Sequence, residues 1–494
     1  MVAGLAVALA CSTLLICSTG ALADDEPNDQ LVKLVIGLVE DKDKDVRALG
    51  LEQVRTAAKG PGATRQFAAL LPKLSTEAQA ALLRALADRG DAAALPTVRD
   101  VLKSIADEAV RVAAIAALGS LGNEGDVRCL LNLLGAAAPA EREAARAGLI
   151  RLSGPKVAAE IATALAQAHA KPAESNTAKP AESNTAKPAA DDTAQSATGD
   201  ESPLRVTLIE ILAARRALDT LPAMLAAATD DDAAVRAAAM TALGQLAAPE
   251  QIPGMVQAVL RAEPGPERVA AEKAIMFVCR RADDPEKRAE PLLAAIDPLN
   301  AAQRTTMLPA LGRVGGAAAL AVIEAAIASP DADLHATGIR ALCNWPDAAI
   351  APRLIELVHD DQHPEHGTLA LGALIRVAPL PDERSPQARL ELLMQVLALC
   401  TNDAQRNQVL NRAQAVRTVE TLRFLMPYVD QPDFAQQACE SIVELAHHRE
   451  LRDANKPEFH AALDKVIQTS QDPIVVERAN RYKNGQTWVR PKRK

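Results

Sequence analysis

One arginine-centred phrase recurs along this chain at a nearly constant spacing, and that spacing constrains the fold more than any other feature. It reads Ala109-Val110-Arg111-Val112-Ala113-Ala114-Ile115-Ala116-Ala117-Leu118-Gly119, and again Ala234-Val235-Arg236-Ala237-Ala238-Ala239-Met240-Thr241-Ala242-Leu243-Gly244. A shorter form stands at Asp45-Val46-Arg47-Ala48-Leu49-Gly50-Leu51. With the arginine taken as a slot followed by apolar residues four and seven positions later, the slot falls at Arg47, Gln79, Arg111, Arg142, Arg205, Arg236, Arg268, Arg304, His335 and Gly367. Successive slots are 31 or 32 residues apart, except for one step of 36 and one of 63. Beyond about Asp403 the slot is lost. A fixed period of this size marks an array of stacked supersecondary units rather than one closed core.

Each period holds two amphipathic patterns. In 92–119 the first runs Leu95–Leu102 and the second Val110–Leu118, with Ser104 and Asp107 between them. Two helices of roughly 12–15 residues and two short turns fill such a unit, and apolar residues at helical spacing give each helix one buried stripe. A lone pair cannot bury both stripes, so neighbours must stack. Composition agrees. Of the 494 residues only 2% are aromatic, which argues against a β-sandwich or barrel, and alanine is the commonest residue. Small side chains let helix axes approach within the usual 8–10 Å or so.

The D-x-V-R-x-x-A-x-x-A-L-G pattern resembles the HEAT-like repeats, the short kind also found in phycobilisome lyase-type proteins. The likeness is sharpest at Asp45–Leu51, Val110–Gly122 and Asp232–Leu246. It implies an all-α, right-handed α-solenoid of about 13 helix hairpins, whose concave face, lined by second helices, binds partners. The resemblance does not name a partner, because one fold serves many functions.

Acidic residues recur just before the slot: Asp43 and Asp45, Glu77, Asp107 and Glu108, Glu141, Asp230 to Asp232, Glu267, Asp331 and Asp333. They suit the N-terminal end of a helix. The slot arginines, Arg47, Arg111, Arg142, Arg236 and Arg268, are expected to bridge to the acidic turn of the neighbouring unit as a structural ladder. An anion-binding stripe is the alternative.

The 63-residue step contains AKPAESNT at 170–177, its exact copy at 178–185 and AKPAADDT at 186–193. Such a Pro/Ala/Ser/Thr tract reads as a disordered linker. Without 169–202 the step returns to about one period, so the array is expected to be continuous, with 155–168 and 203–216 forming one unit around a looped-out tract. A bridge between independent halves is the alternative. At the other end, Met1–Ala23 reads as an export signal closing on Ala21-Leu22-Ala23, before acidic Asp24, Asp25 and Glu26. An uncleaved anchor helix is the other reading. The expected organisation is a signal over 1–23, repeats over 24–168 and 203–480, and a basic tail over 481–494. The location is periplasmic or extracellular, with no membrane-spanning helix in the mature chain. Cys129, Cys279, Cys343, Cys400 and Cys439 are odd in number, widely spaced and without a CxxC, so most read as buried thiols rather than disulfides.

Reactive constellations are scarce. His359 and His363 have an i, i+4 spacing and His366 offers a third imidazole, but Asp360 stands where a zinc hydrolase needs glutamate and Pro364 discourages a continuous helix. A solvated turn is expected there, so these histidines are weak metal candidates. Nucleotide loops and nucleophile elbows are lacking, so neither catalytic residues nor a cofactor are expected. His447-His448-Arg449-Glu450 reads as a solvated helix end. From Val475 onward, Arg478, Arg481, Lys483, Arg490, Lys492, Arg493 and Lys494 face one acid, Glu477. This is a frayed terminus or a tether for something anionic, with Arg490, Lys492, Arg493 and Lys494 as its end. Nucleic acid is disfavoured as a partner, since the body offers few aromatics for base stacking. Two functions follow. The favoured one is a non-catalytic exported scaffold binding a protein or peptide, with Arg146, Arg215, Arg216, Arg280 and Arg281 as charged candidates near helix ends. The alternative is a lyase-associated enzyme or accessory factor for a small ligand or chromophore. It requires a cavity with convergent titratable groups near His359–His366 or the Phe424, Tyr428 and Phe434 cluster.

Overall fold

The computed structural model describes residues 25–169, 202–360 and 363–489, and they form two compact units divided at Ala227–Ala228. In the first unit, helices α1 (Asp25–Val39) and α2 (Lys44–Thr56) pair, as do α3 (Pro61–Ala68) and α4 (Thr76–Arg89), and α5 (Leu95–Ser104) and α6 (Glu108–Leu121). The pairs α7 (Val127–Ala136) with α8 (Pro139–Arg151) and α9 (Val157–His169) with α10 (Ser202–Ala214) follow, and α11 (Leu221–Ala227) closes the unit.

The second unit begins with α12 (Ala233–Leu246). The hairpins that follow are α13 (Ile252–Arg261) with α14 (Pro266–Cys279), α15 (Glu290–Ile296) with α16 (Ala301–Val314), and α17 (Ala317–Ile327) with α18 (Ala332–Leu342). Next come α19 (Ala351–Val358) with α20 (Pro364–Val377), α21 (Pro386–Leu399) with α22 (Asp403–Ala413), and α23 (Val419–Leu425) with α24 (Pro432–His447). Three helices end the unit: α25 (Arg449–Ala454), α26 (Lys456–Thr469) and α27 (Pro473–Lys483). Among the described residues there is no strand, and no helix is long and apolar enough to cross a membrane.

The second helices carry the stack. In unit one α2, α4, α6, α8 and α10 touch in succession; in unit two α12, α14, α16, α18, α20, α22 and α24 do the same. The repeated phrase supplies the means. Val110, Ala113, Ala114, Ala117 and Leu118 are all buried, so alanine occupies close-contact positions as its volume requires. The Gly that ends the phrase marks the tightest point: a methyl group at Gly119 would overlap the backbone of Gly148 on α8, and one at Gly312 would overlap the Ala341 carbonyl on α18.

Helix starts follow from local chemistry. Asp107, Asp232 and Asp331 precede α6, α12 and α18, and their carboxylates accept from the N–H groups of Val110, Val235 and Leu334. Many first helices open instead on a 3₁₀ turn followed by proline at the second helical position: Pro96, Pro222, Pro253, Pro291 and Pro352. Proline costs no hydrogen bond there, because first-turn N–H groups lack helical partners. Past Asp403, where the slot disappears, larger side chains replace alanine in the packing, with Phe459 and Tyr482 both fully buried.

Candidate functional site

The slot arginines divide into two groups. Arg111 Nε and Nη2 donate to Glu141 of the next hairpin at 2.7 and 3.0 Å, and Arg236 does the same to Glu267 at 2.6 and 3.0 Å. Each guanidinium also donates to carbonyls of its own turn, Leu102 for Arg111, Asp230 and Asp231 for Arg236. The arginine hydrogen bonds hold the Glu141 and Glu267 carboxyls below the usual glutamate range. Arg47, Arg142 and Arg268 correct the expected ladder. They donate only to turn carbonyls, of Asp41, Ala137 and Ala262 respectively. The reason lies in the neighbour. A bridge forms where glutamate immediately precedes the next slot, as at Glu141-Arg142 and Glu267-Arg268. The residue in that place is Ala78 ahead of Gln79 and Gln303 ahead of Arg304.

The capping role of a second set of arginines escaped the sequence reading. These arginines lie in the last turn of a second helix or just past it, and cap the C-terminal end of the preceding second helix. Arg89 donates to the carbonyls of Val54, Ala57 and Ala58, Arg215 to those of Leu149 and Ile150, and Arg281 to those of Ala247 and Gly244. Arg376 donates to Cys343 and Trp345, and Arg412 to the carbonyl of Arg376 itself. These are orphan carbonyls at the negative end of a helix, which cations satisfy. Arg313 reaches Glu272 on α14 instead, at 3.0 Å. The signal was present in the sequence, since Arg89, Arg215, Arg313 and Arg376 each stand nine or ten residues after a slot. Arg215 and Arg281 are therefore committed within the fold and do not await a partner, and Arg146 pairs with Glu210 and Glu143.

The histidine motif is not a helical pair. His359 ends α19 and its ring meets the Ile355 carbonyl, while His363 precedes α20 with Nδ1 3.1 Å from Asp360. His363 and His366 instead gather with His335, with ring centroids 5.0–5.6 Å apart. The period explains the third member, because His335 occupies the slot one repeat upstream. His366 is 7% exposed, and burial pushes its imidazole pKa below the usual value. Among the described residues no group of three or more His, Cys, Asp or Glu side chains is arranged to hold a metal ion.

The basic C-terminal segment is partly spent as well. Arg481, Tyr482 and Lys483 belong to α27 rather than to a tail. Arg478 pairs with Glu444 at 2.6 Å, Arg481 with Glu477, and Lys483 with Asp464. Arg478 also lies between the Tyr482 and Trp488 rings, 5.8 and 5.1 Å from their centroids. Arg490, Lys492, Arg493 and Lys494, the 1–23 segment and nearly all of the 169–202 tract lie outside the described residues. His169 and Ser202, at the tract's edges, are helical. The five described cysteines are free. Cys129 is exposed, whereas burial pushes the Cys279 thiol up to about 12 and those of Cys343 and Cys439 to about 11.

Three open grooves in unit two lie on its second helices. A groove of about 570 Å³ lies between α12 and α14, with Lys273 and the 53% exposed ring of Phe277 on its wall. One of about 370 Å³ is formed by α20, α22 and α24. A third, of about 920 Å³, is lined by Asn411 and Gln414, by Glu440, Glu444 and His447 of α24, and by Arg478, Tyr482 and Trp488. Its titratable groups are partnered within the fold: Glu444 with Arg478, His447 with the Tyr482 hydroxyl. Neither the 359–366 histidines nor Phe424, Tyr428 and Phe434 line these three grooves; the last three pack edge to face on one another.

Residues 64–150 and 191–276 match the family model described as HEAT repeats. No curated protein matches the chain. Among solved structures, Kap95p from a study of RanGDP is 11% identical with a TM-score of 0.39, over 92% of this chain and 66% of that one. A variant of Kap121p is 12% identical with a TM-score of 0.43, over 93% and 53%. Importin beta is 14% identical with a TM-score of 0.32, over 92% and 64%. The chain thus spans less than two thirds of each of these proteins.

Proposed function

The chain is a HEAT-like repeat α-solenoid protein, and from that premise we propose that it is a non-catalytic, exported scaffold that binds a protein or peptide partner on the second helices of unit two. One observation carries the reading. The three grooves open between successive second helices, and they expose the side chains a partner can use: the Phe277 ring, the amides of Asn411 and Gln408, and Ile474 at 53% exposure. An exposed aromatic beside adaptable polar groups is the usual composition of a recognition surface. The reading is non-catalytic because, in the largest of these grooves, Glu444 is paired with Arg478 and His447 with the Tyr482 hydroxyl.

Export rests on the 1–23 segment, and cleavage after Ala23 yields a chain beginning at Asp24, which intact-mass measurement of the secreted protein tests. Cross-linked capture from the extracytoplasmic fraction tests the surface. Capture is expected to fail with Phe277→Asp and Asn411→Arg at unchanged melting temperature, and to survive removal of 490–494. Capture indifferent to both substitutions overturns the surface; capture lost only with 490–494 transfers binding to the tail.

A further inference from the structure

The groove between α20, α22 and α24 differs from the largest of the three in its charge, and from the α12–α14 groove in setting two arginines among four side-chain amides. Arg376 and Arg412 enter its lining with the amides of Asn407, Gln408, Asn411 and Gln437, and no carboxylate does. Arg376 commits only Nη2, to the Cys343 and Trp345 carbonyls, and Arg412 donates from Nη2 to the Arg376 carbonyl. Arg313 and Arg478, by contrast, have acidic partners in Glu272 and Glu444. The charged side chains that act on Arg376 are other arginines, Arg313, Arg412 and Arg280, and these repulsions add to burial in lowering its pKa. The positive charge at this place is therefore uncompensated.

Two further atoms describe what is missing. Arg412 Nε is buried without an acceptor, and Asn407 Oδ1 is buried without a donor, although the Asn407 amide nitrogen holds the Asp433 carbonyl at 3.1 Å. Each such atom costs free energy until it is paired. A ligand that serves both carries an anionic acceptor and an N–H donor. Guanidinium forks match planar carboxylates closely.

The geometry points to a recognition site for an N-acylated α-amino acid carboxylate, held by Arg376 and Arg412 with its amide N–H toward Asn407. The chemistry is shared by the C-terminal residue of a peptide and by a free N-acyl amino acid. The inference deepens the partner-binding reading and rests on it for the peptide source alone. The position of Gly372 helps entry, because a side chain built there meets nothing within 4 Å.

The test uses the full chain and three probes: a fluorescein-labelled pentapeptide with a free C-terminal alanine, the same peptide as its C-terminal amide, and N-acetylalanine as competitor. Anisotropy is expected to show the acid binding about tenfold or more tightly than the amide, since a charge-assisted bond is lost. Gln408, exposed and at the groove, gives variants of opposite sign. Gln408→Glu is expected to weaken the acid peptide by about tenfold and Gln408→Lys to tighten it, both at unchanged melting temperature. Competition by N-acetylalanine at equal affinity assigns the site to free acids, and its failure assigns it to chain termini; either supports the site. Equal binding of acid and amide, or indifference to both Gln408 variants, overturns it. Peptide discrimination without capture of a protein sinks the scaffold reading alone, and capture without discrimination sinks this one alone.

Discussion

Arg236 and Glu267 show what a single residue contributes when burial and geometry agree. The guanidinium is 5% exposed and grips the carboxylate with two bonds, so Glu267→Gln leaves a buried cation short of its counter-charge. A loss of about 2 kcal/mol is expected in urea unfolding at pH 7, followed by the fluorescence of Trp345 in the same unit. The carboxyl pKa is depressed below its ordinary 4.5 in the folded chain, so the contribution is complete above that value and is lost as pH falls below it. The difference between the two proteins should therefore narrow progressively as pH falls below 4.5; a gap that acid leaves unchanged excludes the ion pair as its cause. His366 works in the opposite sense and in a higher window. Its Nδ1 is buried without a partner, and burial lowers its pKa, with His363 and His335 opposing the charge and Glu365 and Asp360 favouring it. The unfolded chain then binds the proton more readily, so stability falls as pH drops below about 6.5. His366→Leu is expected to remove that acid-side loss and to stabilise by about 1 kcal/mol at pH 5.5. An unchanged slope between pH 7 and pH 5.5 would sink this account.

Between elements, the decisive quantity is how closely two second helices approach. Gly312 sits against the Ala341 backbone, whereas Gly372 on α20 faces open space, although both are helical glycines. Gly312→Ala must push α16 from α18 and is expected to cost about 2 kcal/mol or more. Gly372→Ala only removes backbone freedom and should stabilise by about 0.5–1 kcal/mol. If both substitutions stabilise, the glycine in the repeat phrase is not a contact residue. This contrast also shows what the sequence made legible. The phrase Val110–Leu118 announced the buried stripe and its alanines the close approach, because period and side-chain volume are local properties. The periodic position of Arg89 and Arg215 was visible, but the capping role they share with Arg281 was not, because their acceptors lie on the preceding second helix and are backbone carbonyls, which no residue type identifies. The Arg376–Arg412 groove was hidden for a related reason: its two arginines and four amides come together only when three helices are packed. His335 was placed in the slot but not joined to His363 and His366, because that motif was read along the chain and not across the period.

At the scale of the whole molecule, the open matter is the 169–202 tract. Helices α9 and α10 flank it and pack against each other, and α10 also packs on α8. Arg215, at the end of α10, caps the Leu149 and Ile150 carbonyls of α8, and Glu210 pairs with Arg146 at 3.3 Å. These are the same relations that join uninterrupted hairpins elsewhere, since Arg89 serves α2 as Arg215 serves α8. If they set the energetics, the tract is a long connection inside one hairpin, and its length costs only closure entropy. Replacing residues 170–201 with an eight-residue Gly/Ser linker shortens that connection about fourfold, and helix pairs ordinarily use connections of 2–8 residues or so. Unit one should then gain about 1 kcal/mol, with amide exchange slowed together in α8 and α10. Independent halves predict otherwise. The hairpin would not depend on α10, and exchange in α8 would be indifferent both to the shortened linker and to Arg215→Met. Loss of protection in α8 on Arg215→Met, together with slowed exchange on shortening, is the pattern that only a continuous array produces.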